Sequence, residues 1–217
     1  MPLVAWRGLW KDSGFAPTIF NQARRFFALA IASRVETDRS AHIRACIVFA
    51  LMAFEAYFFE LIRGFIQANR QRLDVQNLQR LEDGIAERTG ITRAVSEWPE
   101  LLTGTSLDKG RRTYSDLMNA IQYRNALVHG KITEPIPSLG KLAQDLETCG
   151  YAQAVIVIVS EMISVVAAHF GFKIPDWVRE TQPANPALQP TALRTLRVLQ
   201  RALARSARLP AAECHIR

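Results

Sequence analysis

Two long apolar stretches, residues 43–66 and 151–172, constrain the fold of this chain more than any other feature. Each is long enough to cross a bilayer as a helix, but Glu55, Glu60 and Arg63 interrupt the first, and Glu161 interrupts the second. An acidic side chain at the centre of a bilayer costs on the order of 3 kcal/mol on insertion scales. We therefore interpret both stretches as core helices, and we do not expect a membrane partner.

The remaining apolar residues also recur at helical spacing, and no run alternates strictly between apolar and polar residues as a half-buried strand would. Glycines and a proline between Thr89 and Arg112 predict a loop there, with at most one short turn. The fold class predicted is all-α, a helical bundle with a long second helix. The first helix is expected at 17–35, and the second begins after a Ser40 N-cap and extends to about 69. The third is expected at 71–88, and the fourth begins at a capping box of Thr113 and Asp116 and extends to about Val128. The fifth is expected at 139–148, ended by Gly150, and the sixth at 151–170.

The positive charge of the chain is concentrated at its C-terminal end. Hydrophobic residues make up 49% of the sequence, which is typical of a globular protein, and the net charge is +7. Six arginines and one glutamate in residues 181–217 account for +5 of that charge. We expect a helical domain at 1–178 and a disordered, proline-containing linker with a basic tail at 179–217. A second interpretation of the tail is a basic amphipathic helix that touches RNA or an anionic surface.

The three cysteines, Cys46, Cys149 and Cys214, have no paired spacing, so the sequence predicts neither a disulfide framework nor a zinc site. The first residues lack an apolar region followed by a small-residue cleavage site, and we therefore expect no signal peptide. These features favour a cytoplasmic protein, and we expect no metal and no cofactor.

The stretch RNALVHGK at residues 124–131 places polar side chains at the end of an amphipathic helix. A helical wheel of that helix gives an apolar face and puts Arg124 inside it and Asn125 at its edge. A guanidinium cannot lose its proton, so burial requires a carboxylate, a cleft or an anionic ligand. Glu55 and Glu161 are the two acids in comparably apolar surroundings. The predicted apolar face consists of Tyr114, Leu117, Met118, Ile121 and Val128.

His129 follows Asn125 by four residues, so the two share a face of the helix, and Gly130 is expected to end the helix. Arg124, Asn125 and His129 supply a cation, an amide and a group that titrates near neutrality. This set of groups suits cleavage of RNA without a metal ion. The histidine can take the proton of the 2′-hydroxyl or protonate the leaving 5′-oxygen. Arg124 can bind the phosphate and stabilise the additional charge of the transition state. Two subunits that face each other would supply two histidines.

The residues Arg124-Asn125 followed by His129 resemble the R-N-x-x-x-H form of the motif found in HEPN domains (higher eukaryotes and prokaryotes nucleotide-binding), which are small all-α bundles. The resemblance extends to the helical order and to the acid in the long second helix, here Glu55. It covers roughly residues 20–170 and is nearest to the RiboL-PSP-HEPN subgroup.

The resemblance implies a metal-independent endoribonuclease that dimerises, commonly a toxin or defence effector with an antitoxin protein as partner. It implies that Arg124, His129 and Asn125 are catalytic and that Glu55 supports them. Tyr123 and Lys131 are candidate RNA-binding residues. HEPN toxins paired with nucleotidyltransferase antitoxins usually carry a tyrosine at the position of Lys131, so we do not expect regulation by adenylylation at that site.

The sequence leaves three interpretations open, of which the nuclease is the first. Arg124 could form a structural ion pair with Glu55 or Glu161, and His129 could be a helix-terminal residue stabilised by the helix dipole. The chain would then be a non-catalytic HEPN-like module that binds RNA, a nucleotide or a protein. The third interpretation is a helical protein of the membrane surface. His42, His169 and His215 have no neighbouring ligand set, and we expect them to be structural or solvated.

Overall fold

The computed structural model describes residues 14–87, 89–128 and 147–179, and within them it contains α-helices and no strand, so the all-α prediction is confirmed. His129, Lys131, most of the predicted helix 139–148 and residues 180–217 of the predicted linker and tail lie outside the described residues. The seven described helices are α1 (Phe15–Ala32), α2 (Glu36–Asn69), α3 (Val75–Ala86), α4 (Ile91–Thr103), α5 (Arg112–Val128), α6 (Cys149–His169) and α7 (Asp176–Arg179).

The long helix α2 is the centre of the bundle, and α1, α5 and α6 all pack against it. Its aromatic side chains Phe54 and Phe58 are fully buried, as is Phe20 of α1. Full burial of one such side chain contributes about 1.5–3 kcal/mol. Helix α2 therefore supplies the inner wall of the core against which α5 packs.

Helices α2 and α6 contain the two apolar stretches, and by length and composition alone both could span a membrane. However, 56% of the most apolar window of α2 and 67% of that of α6 are buried inside the bundle. Core helices also meet these length and composition criteria. The observed burial is what the interpretation of both stretches as core helices requires.

The predicted loop between Thr89 and Arg112 is wrong over most of its length, because α4 occupies Ile91–Thr103. Pro99 lies inside this helix, where it costs about 3 kcal/mol relative to alanine. The buried face of α4 offsets that cost, since Trp98 packs on Phe58 and Phe59 with ring centroids 6.4 and 5.5 Å apart. Burial of Trp98 against the aromatic core therefore stabilises a helix that Pro99 would otherwise interrupt.

Among the predicted helix starts and ends, three that rest on a named capping residue require correction. Helix α2 begins at Glu36, and Ser40 is an internal residue whose hydroxyl donates to Glu147 instead of capping the helix. Helix α5 begins at Arg112, so Thr113 is inside it and its hydroxyl donates to Glu161 at 3.0 Å. Gly150 does not end a helix, because it is the second residue of α6, which Thr148 caps.

Gly104 ends α4 in the left-handed conformation, with φ at +75°. An added Cβ would meet no atom within 4 Å, so only backbone strain opposes a side chain there. We expect Gly104→Ala to lower the free energy of unfolding by about 1–2 kcal/mol in urea denaturation. Gly90→Ala is the matched control, because Gly90 has equal space but a φ of −62°. Equal effects of the two substitutions would contradict the strain argument.

Candidate functional site

Helix α5 packs against α2 and runs antiparallel to α6. At one end of the α5–α6 pair, the hydroxyl of Thr113 donates to Glu161. At the other end, the rings of Tyr123 and Tyr151 pack edge to face with their centroids 5.6 Å apart. The last turn of α5, which carries Arg124 and Asn125, therefore lies beside α2 and the start of α6.

Arg124 lies on the inner side of α5, where only 16% of its side chain is exposed. Its Nη1 atom lies 3.3 Å from Oε2 of Glu55 on α2, and the carboxylate side chain is 34% exposed. Of the two acids predicted as partners, Glu55 is thus the observed one. Glu161 is exposed and accepts a hydrogen bond from Thr113 instead. The ion pair is open to solvent on the Glu55 side.

Only some of the residues predicted to form the apolar face of α5 are buried. Tyr114, Leu117 and Ile121 are buried, whereas Met118 is half-buried and Val128 is 57% exposed. The prediction for Val128 is wrong, because the last turn of α5 extends past the core. Asn125, beside Arg124, is also exposed.

Two buried donors at the end of α5 have no hydrogen-bond partner among the described residues. They are the hydroxyl of Tyr123 and Nε of Arg124. A buried polar group left without a partner costs about 1–3 kcal/mol. The guanidinium is held on one side by Glu55 and offers further donors, which is the chemistry that an anionic oxygen satisfies.

A second ion pair lies on the same face of α2, eleven residues before Glu55. Arg44 donates from Nε and Nη2 to the two carboxylate oxygens of Glu147, both at 2.8 Å, and Ser40 also donates to Glu147. The hydrogen bond to Glu147 raises the pKa of Arg44, against an opposing effect of burial. Burial, together with the negative charge of Glu147, raises the pKa of Tyr123, so its hydroxyl stays protonated.

Sequence reasoning missed this second ion pair. The available signal was the spacing of Ser40, Arg44 and Glu55, which places all three on one side of α2. The partner, Glu147, lies 103 residues after Arg44, and a pattern in one sequence does not connect them.

Asp116 was expected to cap α5, but it is a buried residue of that helix, with 3% exposure. Nε of Arg112 lies 3.4 Å from its carboxylate. Burial raises the pKa of Asp116, while Arg112 acts in the opposite direction.

His169 lies at the end of α6, and its Nε2 is 3.0 Å from the hydroxyl of Thr103. Burial lowers its pKa, although a hydrogen bond with the backbone of Thr105 opposes this. Because the folded protein favours the neutral ring, this contribution to stability is present above the unfolded-state pKa and is lost as pH falls. We expect His169→Gln to reduce the loss of unfolding free energy between pH 7.5 and pH 5.5. Identical pH dependence of the two proteins in urea denaturation would contradict this.

No group of three or more His, Cys, Asp and Glu side chains could hold a metal ion within residues 14–87, 89–128 and 147–179. In that part of the chain, Cys46 is a buried free thiol and Cys149 a half-buried one. Comparison of the chain with models of protein families, with curated proteins and with solved structures found no match.

Proposed function

We propose that this chain is a metal-independent endoribonuclease of the HEPN type, acting as a toxin or defence effector. The observation that carries the proposal is the state of Arg124, a guanidinium with 16% exposure that has one carboxylate contact and an unpartnered Nε. It lies one residue before Asn125 and five before His129 in the sequence. A largely buried cation with unused donors, followed five residues later in the sequence by a histidine, suits a phosphodiester substrate.

In the proposed reaction, His129 takes the proton of the 2′-hydroxyl, whose oxygen attacks the adjacent phosphorus. The bond between phosphorus and the 5′-oxygen breaks, and that oxygen takes a proton from solvent or from the second histidine that a dimer would supply. The products are a 2′,3′-cyclic phosphate and a 5′-hydroxyl. Arg124 binds the non-bridging oxygens and stabilises the charge that develops on them, while Asn125 orients the histidine or the phosphate.

The remaining predicted residues have supporting roles in this proposal. Glu55 holds the guanidinium of Arg124 through the 3.3 Å contact. The hydroxyl of Tyr123 is buried and stays protonated, so bound RNA would have to uncover it before it could donate, and Lys131 supplies a further cation. The proposed partners are RNA, a second subunit and an antitoxin protein, and the proposed location is the cytoplasm.

The test is incubation of the full chain with labelled RNAs in excess EDTA, with His129→Ala alongside. We expect fragments that carry 2′,3′-cyclic phosphate ends in the wild type and none in the variant. A folded wild type that leaves a broad panel of RNAs intact would overturn the nuclease proposal.

The competing proposal is a non-catalytic module that binds RNA, a nucleotide or a protein. The ion pair between Arg124 and Glu55 favours it, because a paired arginine can be structural. A mobility-shift assay with labelled RNA distinguishes the two proposals. A module that binds RNA retards the labelled RNA without shortening it.

A further inference from the structure

The ion pair of Arg44 and Glu147 presents its cation to solvent. The Arg44 side chain is 54% exposed, whereas that of Glu147 is 15% exposed. Both carboxylate oxygens of Glu147 accept hydrogen bonds from Arg44, and Ser40 donates to the same carboxylate. The carboxylate therefore holds the guanidinium in one orientation without enclosing it, and a fixed positive group lies at the surface.

The guanidinium of Arg44 has further donors. A guanidinium has five N–H groups, and Glu147 binds one on Nε and one on Nη2. The other three have no hydrogen-bond partner within residues 14–87, 89–128 and 147–179. Two N–H groups of an arginine match two oxygens of a phosphate. Ala41 and Val48, one turn before and after Arg44 on α2, have short side chains that leave the guanidinium accessible.

Arg44 lies on the same side of α2 as the ion pair of Glu55 and Arg124. Eleven residues separate Arg44 from Glu55, which is three turns of the helix and about 16 Å along its axis. Helix α5 ends towards Arg44, because it runs antiparallel to α6, and α6 begins two residues after Glu147. Arg44 is therefore at the end of the bundle to which the last turn of α5 points.

The two ion pairs on this side of α2 expose opposite members. In the pair of Arg124 and Glu55 the arginine is the more buried side chain, with 16% exposure against 34%. Arg44 is thus the cation that a negatively charged strand meets at the surface, whereas Arg124 lies further inside. Contacts of this kind with phosphates fix the position of a nucleic acid without reading its sequence.

We propose that Arg44 is a substrate-binding residue, which binds a phosphate of the RNA several nucleotides from the bond that is cleaved. The identity of the ligand rests on the proposed function, whereas the donor set rests on the geometry of Arg44 alone. At the 3.4 Å rise of a stacked strand, about 16 Å corresponds to about five nucleotides, and an extended strand needs fewer. The substrate class is therefore an RNA that continues for several nucleotides beyond the cleaved bond.

The test is the binding of 2′-O-methyl oligonucleotides, which lack the attacking hydroxyl, to the full chain. Fluorescence anisotropy gives the affinity for a dodecamer and for a dinucleotide at several salt concentrations. We expect Arg44→Gln to lower the affinity for the dodecamer about 10-fold. The slope of log affinity against log salt should become shallower by about 0.7, the value for one phosphate contact on a single strand. The dinucleotide does not span the two arginines, so its affinity should be unchanged.

Arg70→Gln is the matched control. Arg70 directly follows the last residue of α2 at its opposite end, and its side chain is 65% exposed. It also forms an ion pair with another helix, with its Nη2 2.9 Å from Oε1 of Glu82 on α3. The change in net charge equals that of Arg44→Gln, and we expect no change in the salt slope. Equal losses in both variants, or an unchanged dodecamer affinity in Arg44→Gln, would overturn the proposal.

Glu147→Gln separates a binding role of Arg44 from a structural one. The substitution removes the negative charge beside Arg44 and keeps an oxygen that accepts its hydrogen bond. We expect the dodecamer to bind about two- to fivefold more tightly. Glu82→Gln, which removes the same charge beside Arg70, should have a smaller effect, and equal tightening in the two variants would contradict the subsite. Circular dichroism verifies folding, and Arg44→Lys, with a smaller loss confined to the dodecamer, replaces Arg44→Gln if that variant unfolds.

Failure of this proposal is distinguishable from failure of the proposed function, because binding is measured without cleavage. If the wild type cleaves RNA and Arg44→Gln binds the dodecamer as tightly as the wild type, the nuclease stands and the subsite is wrong. If the wild type leaves RNA intact but binds the dodecamer through Arg44, the nuclease is wrong and the subsite stands. A wild type that does not bind the dodecamer overturns the subsite.

Discussion

Replacing Arg124 with alanine should lower the single-turnover rate of RNA cleavage by about 10²- to 10³-fold, because the developing charge on the phosphate loses its main donor. The rate is measured per folded molecule, with folding followed by circular dichroism at the assay temperature. This separates a loss of chemistry from a loss of structure.

Arg124→Lys is the matched variant, since lysine keeps the charge but lacks the planar fork that binds two oxygens. We expect its rate to lie between those of the wild type and Arg124→Ala. If folded Arg124→Ala cleaves RNA at the wild-type rate, Arg124 is a structural ion-pair residue and the assigned role is wrong.

Glu55→Gln should lower the free energy of unfolding by about 1–2 kcal/mol. Removing one member of a buried pair leaves an uncompensated charge, at a cost of about 3–5 kcal/mol when burial is complete. The smaller value follows because the Glu55 side chain is 34% exposed and solvent screens part of the loss. Urea denaturation at constant protein concentration measures it.

The control is Glu97→Gln, which breaks an exposed pair with Arg93 whose side chains are 49% and 71% exposed. We expect an effect below about 0.5 kcal/mol there. The double variant Glu55→Gln with Arg124→Met should recover part of the lost stability, because it also removes the stranded charge. Additive losses in this cycle would show that the pair is not coupled.

The sequence was most informative about the long helices. The apolar pattern of residues 151–170 predicted α6 within two residues at its start and one at its end, and α2 was predicted to end at 69, where it ends. Long periodic segments are predictable because burial of one face decides their structure. The resulting all-α class needs no knowledge of tertiary contacts.

Local signals failed where tertiary contacts determine the outcome. Pro99 and the flanking glycines indicated a loop, but Trp98 packs into the aromatic core and stabilises α4. Ser40 had the chemistry of an N-cap, yet the N-cap of α2 is Val35, five residues earlier, with Glu36 and Asp38 in the first turn of the helix. Acidic residues there are favoured by the helix dipole without a capping side chain.

The candidate site was predictable in part. The apolar neighbours of Arg124 required a carboxylate, a cleft or an anionic ligand, and Glu55 was one of the two acids that the sequence offered. The choice between Glu55 and Glu161 depends on how α5 crosses α2, which no local pattern encodes. The same holds for the pair of Arg44 and Glu147.

The most direct test of the proposed reaction is cleavage of an RNA in which only the nucleotide before the mapped cleavage site is replaced by its 2′-deoxy form. We predict that cleavage at that position stops while binding of the substrate is unchanged, because the attacking oxygen is missing. Continued cleavage at that position would show that the 2′-hydroxyl is not the nucleophile and would contradict the proposed mechanism.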